Sequence, residues 1–537
     1  MRPRMETAVK KTMTTAVAAC VMALSLTACG SGSSETDNEN EAGELRIGIA
    51  LGDLATFDPA RVLADAMQLV IPMYAETLVD VDQDDPAKVL PNLATSWEAS
   101  DDLRSYTFEL RDDVTFPSGN TMTAEDVKFS LERVKNIQGA SAFKMGIVQS
   151  VNVVDEHTVE FALTGPDSSF PSRMAAPYLS VFDSKVLQEN GATADAEAVT
   201  TDEAQSFMDE TTVGSGPYEL QEWRRNSEVV FEARDDYWGE APAFDTIVLE
   251  DIRDASTQAQ LVERGDIDIA MDIEPDTAAS LDGKDGVEVV TEPSYNINYL
   301  AMNHKSSDAP ELADDRVRQA IQMAVDYDGI SEALADGAPR PAAVVPLGFV
   351  GSDAVEPIGY DPDAAKTLLD EAGVTDLTLD VDFANVTWYG VAQQSLWEKL
   401  QSDFAKIGIT VNIRPVEYEK WIADYRAGDY AITSGLWAPE DFDSSSYFDP
   451  FGREAGIYGE RTSMDFPIGQ KLYDEYLAEK DPAAREEIAI ELITAMRDDA
   501  TLIPLFQAKK FLVHSDAVTG VRYSPNKQIR LVEIEPS

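Results

Sequence analysis

"YTFELRDDVTFPSGNTMTAEDVKFSLERV", residues 106–134, carries two structural periods in succession. In its first half Tyr106, Phe108 and Leu110 alternate with polar residues, the period of a strand with one buried face. In its second half Thr123-Ala-Glu-Asp126 has the capping-box pattern, an N-cap threonine with an acid three positions on. Val127, Leu131 and Val134 then fall on one helical face. Downstream, "VNVVDEHTVEFAL" (151–163) alternates on both sides of Asp155-Glu156 and reads as a hairpin. The middle of the N-terminal half is therefore expected to be β-rich.

The C-terminal half alternates helix and strand. Asp361-Pro362 reads as N-cap and first helical position, with Leu368, Leu369 and Ala372 on one face and Gly373 as the stop. Trp397, Leu400, Phe404 and Ile407 form a second stripe ended by Gly408, and Ile409, Val411 and Ile413 then alternate as a strand. Leu261 and Val262 precede Gly265 and the alternation Asp266 to Ile269. Ile488, Leu492, Ile493 and Met496 mark a late helix, followed by "TLIPLFQAKKFLV" (501–513) as extended chain. The fold class expected is a mixed α/β body with at least two lobes and no internal repeat.

The amino terminus is of another kind. Arg2, Arg4, Lys10 and Lys11 precede an apolar, small-residue run from Met13 to Ala28, too short for a comfortable membrane span. Residues 1–28 read as a secretory leader. Leu26-Thr27-Ala28-Cys29 resembles the lipobox of bacterial lipoproteins, which implies cleavage before Cys29 and attachment of a diacylglycerol to its sulfur. Residues 29–43 follow as a tether, because Gly, Ser, Asn and acids build no core. Such a coil reaches on the order of 20 Å. The other cysteine, Cys20, lies in the leader, so the body after Gly30 holds neither a disulfide nor a thiolate metal site.

Length and composition narrow the function. A chain of 537 residues with 44% hydrophobic content builds a large core. With 42 basic against 98 acidic residues the net charge is -56, which argues against nucleic acid as a partner. Acidic walls that attract a cationic ligand are one reading of this charge. A solvated acidic surface is the other, and the even spread of the acids favours it. Of the three histidines, His157, His304 and His514, none has a ligand-spaced partner, and there is no HExxH, GxSxG or phosphate-binding glycine loop. Asp80, Asp82 and Asp84 have the odd spacing of a calcium loop, but Pro86 and the missing terminal Glu argue against one. Gly214-Ser215-Gly216-Pro217 reads as a turn. No metal, cofactor or catalytic constellation is expected.

Several segments taken in order resemble a known family. They are "TFDPA" (56–60), "YAETLVD" (74–80), "PNLATSWEASDD" (91–102), the opening stretch at 106–134, "GSGPYEL" (214–220), "DDYWG" (235–239), "RVRQAIQMAVD" (316–326), "YDPDAAKTLLDEAG" (360–373) and "LIPLF" (502–506). Each is weak alone, and the ordered set is similar to the family 5 extracellular solute-binding proteins of ABC transporters, the oligopeptide, dipeptide and nickel group. The resemblance implies a two-lobed clamp of the periplasmic-binding-protein type with an extra β-rich domain. It implies a first lobe from 44–84, 212–299 and 508–537, an extra domain at 85–211 and a second lobe at 300–507. It also implies a monomeric, non-enzymatic receptor, lipid-anchored on the outer face of the cell membrane, that hands a ligand to ABC permease subunits.

A binder tolerant of peptide sequence draws affinity from groups all peptides share, above all the terminal ammonium, which a buried carboxylate would meet. In the family that aspartate follows a tryptophan, in a stretch like W-x-A-D-Y-x-D-P. Here the stretch is "LWAPEDFDSSSYFDPF" (436–451). Trp437 matches the tryptophan, and Asp441-Phe442 fits Asp-Tyr only with one residue inserted. Asp443-Ser444 replaces Asp-Pro, and Glu440 is a further acid at the same place. The departure leaves open a nickel chelate, an opine or a sugar as ligand. Phe57, Trp388, Tyr295 and Asn296 are further cleft candidates. A surface hydrolase lacks a nucleophile motif here, and a sensor lipoprotein would differ in having no transport role.

Overall fold

The computed structural model describes residues 43–438, 441–524 and 526–537. The leader, Cys29 and nearly all of the tether lie outside the described residues, as does Glu440.

Helix formation around the opening stretch follows its sequence. Ser105–Leu110 is a strand with Tyr106, Phe108 and Leu110 facing inward. Ala124–Ile137 is the helix, with the Thr123 N–H donating to Asp126 Oδ2 at 2.8 Å. Val127, Leu131 and Val134 are buried beneath it. The expected hairpin pairs Val148–Asp155 with Thr158–Leu163. These strands and Ala94–Ala99 make a four-stranded antiparallel sheet in the order Ala94–Ala99, Ser105–Leu110, Thr158–Leu163, Val148–Asp155. Trp97 packs on it, stacked against Phe108 at 6.1 Å.

The helix is fastened by charges that no sequence pattern announced. Arg133 emerges on its buried side and reaches Asp58 at 2.6 Å and Asp202 at 2.8 Å. Both carboxylates are buried, and Arg61 pairs with each of them in turn. A fully paired network of this kind satisfies each member and specifies how the segments meet.

An eight-stranded sheet forms the other framework. Its order is Ile432–Trp437, Val287–Met302, Leu502–Ser515, Ile269–Ala270, Glu44–Ile49, Thr246–Asp251, Glu228–Ala233, Tyr218–Arg224. The two long strands, Val287–Met302 and Leu502–Ser515, run antiparallel along each other. Their pairing slips between Pro293 and Ile297, where Tyr295 has φ 61°. The chain crossings expected near 299/300 and 507/508 fall within these strands. Further on, Thr378–Ala384 and Thr410–Val416 pair in parallel through the helix Gln393–Ala405. Trp397, Leu400 and Phe404 are its buried stripe, and Trp397 Nε1 donates to Ser434 Oγ at 3.0 Å. Asp361 caps Pro362–Ala372, and Gly373 ends it at φ 74°.

Glycine is required in the expected turn at 214–217. A Cβ on Gly214 would sit 2.2 Å from the Tyr74 carbonyl oxygen, and one on Gly216 would sit 2.6 Å from the Tyr74 carbonyl carbon. The turn thereby seats against the end of the helix Asp65–Tyr74. Glu76, just beyond, accepts from Ser215, Tyr237 and Trp238, so Trp238 is a packing residue with its indole N–H satisfied. Asp80 holds Lys527 at 2.7 Å and Arg530 at 3.0 Å. Among the described residues no group of three or more His, Cys, Asp or Glu is placed to hold a metal ion. No described helix is long and apolar enough to cross a membrane.

Candidate ligand site

A cavity of about 240 Å³ opens where four distant parts of the chain converge. Leu63, Asp65 and Gln68 come from the start of the helix Asp65–Tyr74, and Lys144, Ser172 and Tyr178 from the segment after the helix at 124–137. Leu436, Trp437, Asp441 and Phe442 come from the end of the sheet's edge strand, with Asn526 from the C-terminal segment. A second cavity of about 390 Å³ adjoins it, sharing Asp65 and Leu436 as walls. Its other walls include Trp388, Tyr389, Asp272, Glu274, Arg253, Lys509 and Lys510.

Trp437 ends the edge strand Ile432–Trp437. Its ring stands edge-on to Phe451 at 5.2 Å and to Tyr458 at 5.5 Å, which fixes its orientation at the cavity wall. Its Nε1–H is buried and meets no acceptor among the described residues.

Two residues of one type, two positions apart, have opposite surroundings. Asp443 is buried against Arg485 at 2.6 Å and accepts from Tyr476 Oη at 3.1 Å and from the Ser445 N–H at 2.9 Å. Burial alone would raise its pKa, but the Arg485 charge and these hydrogen bonds outweigh it and hold the carboxyl below its usual value. Asp441 is 6% exposed and faces the cavity. Its Oδ1 accepts the Asp443 N–H at 3.2 Å, and the nearest cation to Oδ2 is Arg173 at 3.8 Å, beyond hydrogen-bond reach. Arg173 makes its close bond to Asp167 instead, at 2.9 Å. Burial, with the Asp443 charge, pushes Asp441 up to about 6 against the opposing pull of Arg173 and Lys144.

The other expected site residues scatter. Trp388 lines the second cavity and stands edge-on to Trp421 at 5.5 Å. Asn296 donates to Tyr389 Oη and so lies behind the wall of that cavity. Tyr295 sits on the slipped register, with its carbonyl accepting from Tyr447 and its ring 5.7 Å from Phe349, outside both cavities. Phe57 corrects the expectation. It is 0% exposed, packed edge-on to Trp223 at 4.9 Å and near Phe231 and Tyr74, and it lines neither of these two cavities. An apolar ring beside a strand end is drawn into the core it can fill. Sequence reasoning missed Asp65, Gln68, Lys144, Tyr178, Tyr389 and Asn526. None of them carries a local pattern, since they meet only through the fold.

Residues 88–459 match the family described as bacterial extracellular solute-binding proteins, family 5 middle. The chain is 30% identical over 443 residues to the probable D,D-dipeptide-binding periplasmic protein DdpA of Escherichia coli, covering 81% of this chain and 82% of that protein. In fold it is similar to HbpA2 from Haemophilus parasuis, at a TM-score of 0.81 and 21% identity, covering 92% of this chain and 100% of the other. It is also similar to the dipeptide binding protein of Pseudoalteromonas sp. SM9913 in complex with Met-Leu, at a TM-score of 0.74 and 24% identity, covering 92% of this chain and 100% of the other. The architecture is that of the periplasmic binding proteins. The chain belongs to family 5 of the bacterial extracellular solute-binding proteins, a family of binding proteins and not of enzymes.

Proposed function

We propose that this chain is a lipid-anchored receptor on the outer face of the cell membrane that captures a peptide at Trp437 and Asp441 and delivers it to an ABC importer permease. The observation that carries this reading is the contrast between the two aspartates. Asp443 is neutralised by Arg485, whereas Asp441 presents a buried carboxylate oxygen to a cavity with no hydrogen-bond donor on it among the described residues. A buried charge without a close partner is costly, and a ligand ammonium would supply one. The dipeptide named for DdpA and the Met-Leu bound by a structural relative support the same ligand class. The chain itself acts without catalysis, as a monomer, in this reading. Lobes at 44–84, 212–299 and 508–537 and at 300–507, with an extra domain at 85–211, belong to the same proposal. The pairing of the two long strands along most of their length supports them as the crossing between lobes. Asp443, Tyr295, Asn296 and Trp388 act behind or beside the ligand in this scheme, and Phe57 acts in the core.

Calorimetry on a two-by-two set tests it: wild type and Asp441→Ala, each with a dipeptide and its N-acetyl form. Acetylation should weaken wild type far more than the variant, because both changes remove one interaction. Equal losses in both proteins would take the amine away from Asp441. Failure of any peptide to bind wild type would point to a nickel chelate, an opine or a sugar, and mass spectrometry of the co-purifying solute would then name the class.

A further inference from the structure

We propose that Arg173 is a positioning residue of the ligand site: Asp167 holds it beside Asp441 without letting it bond there, and that distance sets how strongly Asp441 takes the ligand's ammonium. The proposal rests on Asp441 as the partner of that ammonium, as argued above, and goes on to what governs the Asp441 charge.

Asp167 and Arg173 stand at the two ends of a short segment that closes with the helical turn Phe170–Arg173. The segment is fixed before its charges are counted. The Asp167 carbonyl accepts from Tyr106 Oη at 2.7 Å, which ties it to the four-stranded sheet. The Ser168 N–H donates to the Leu477 carbonyl at 2.9 Å, and Ser168 Oγ donates to the Tyr476 carbonyl at 3.1 Å. Tyr476 is also a donor to Asp443, so one junction supplies the surroundings of both aspartates. The Asp167 carboxylate is fully buried, and it accepts from the Ser169 N–H at 2.9 Å, from Ser169 Oγ and from Arg173 Nε at 2.9 Å.

Arg173 therefore has two carboxylates beside it and a bond to one. Its Nη1 stops 3.8 Å from Asp441 Oδ2, where its charge acts but no hydrogen bond forms. Closing that gap takes a shift of about 1 Å. Tyr473 and Asp449 also act on Arg173, and Asp449 is bound by Arg453. Around Asp441, burial and the Asp443 charge favour the protonated carboxyl, while Arg173 and Lys144, a wall residue of the same cavity, favour the ionised one. Without the Arg173 charge, Asp441 would keep its proton near neutral pH and offer an ammonium no charge. With Arg173 bonded to it, Asp441 would be neutralised as Asp443 is by Arg485, and the ligand would have to displace a cation. The bond to Asp167 avoids both. Neither Asp167 nor Arg173 lines the cavity, so both act through Asp441.

Two variants push in opposite directions. Arg173→Met alone leaves Asp167 buried without its cation, so the double variant Asp167→Asn/Arg173→Met, which removes both charges, carries the first arm. The second arm is Asp167→Asn, which frees Arg173 to turn to Asp441. Calorimetry reads the affinity for Ala-Ala from pH 4.5 to 7.5, and the melting temperature checks the fold of each variant. An opposite charge at this distance moves a carboxyl by about one pH unit or more. The double variant should therefore move the midpoint of the affinity profile up from about 6, so that affinity is still rising at the top of the range. Asp167→Asn should move the midpoint down and bind about ten-fold more weakly at neutral pH. A midpoint that stays in place in both variants, or moves the same way in both, overturns the proposal, even if both variants melt earlier. If no peptide binds wild type, the peptide reading fails separately, and the empty protein decides this one. The difference in melting temperature between each protein and the same protein carrying Asp441→Asn, followed over pH, reads the Asp441 proton alone. Its midpoint should lie higher in the double variant than in wild type and lower in Asp167→Asn, and one midpoint shared by all three would overturn the proposal.

Discussion

Acidification should weaken ligand binding and relieve the empty protein at the same residue. Asp441 releases its proton near pH 6, because burial and Asp443 disfavour its charge. A ligand ammonium needs the ionised form. Between pH 7 and pH 5 the ionised fraction falls about ten-fold, and affinity should fall with it. Log Ka for Ala-Ala should level off near pH 7 and approach unit slope below pH 6. The sign for stability is opposite. A carboxyl whose folded pKa is raised above its usual value of 3.8 binds its proton more tightly folded than unfolded. Its buried charge therefore costs the unliganded protein about 3 kcal/mol above pH 6, a cost that vanishes as pH falls from 6 toward 3.8. Calorimetry from pH 4.5 to 7.5 in two buffers of different ionisation enthalpy reads both affinity and protons, and about half a proton should be released per ligand at pH 6. The ligand's carboxylate titrates below this range, its amino group begins to lose its proton only toward the upper end, and no histidine lines either cavity. Asp441→Asn should remove the slope and lower affinity at pH 7 by thirty-fold or more, roughly the 2–5 kcal/mol lost when one member of a desolvated charge pair is deleted. A constant affinity across the range in wild type, or an equal slope in Asp441→Asn, would refute the reasoning.

Arg485→Met should leave the Asp443 charge buried without its cation and destabilise the unliganded protein by about 3–5 kcal/mol at neutral pH. An unchanged melting temperature would show that the pair is not needed for the fold. Phe57→Ala should cost about 3–5 kcal/mol through the cavity it leaves, with ligand affinity of the folded fraction unaltered. A change in affinity at constant stability would return Phe57 to the site. A net charge of -56 predicts a melting temperature that rises with sodium chloride at constant pH, and a flat curve would point to acids compensated by bound cations. Mass spectrometry of membrane-extracted protein should show a chain beginning at a lipid-modified Cys29; an unmodified thiol there, or a mature start elsewhere, would count against the anchor.

Local elements were legible because their causes are local. The helix at 124–137 is announced by Thr123 and Asp126 and by a stripe of three apolar residues at helical spacing. The strand at 105–110 is announced by alternation, and the helix at 362–372 by its Asp-Pro start and glycine stop. The site was legible in part. Trp437 and Asp441 were singled out by resemblance, and both line the cavity. Family membership needed only the order of weak motifs along the chain.

Tertiary structure alone decided the rest, because it depends on groups that no spacing relates. The Glu44–Ile49 strand lies between Thr246–Asp251 and Ile269–Ala270, and Arg133 finds its counter-ions at Asp58 and Asp202. Asp441 and Asp443 are chemically identical and two residues apart. One is neutral in effect because Arg485 and Tyr476 reach it from a distant helical region. The other keeps its charge facing a cavity because Arg173 binds Asp167 more closely. Sequence supplied the carboxylates, but the distance to a cation, and with it the energy of a buried charge, exists only once the chain has folded.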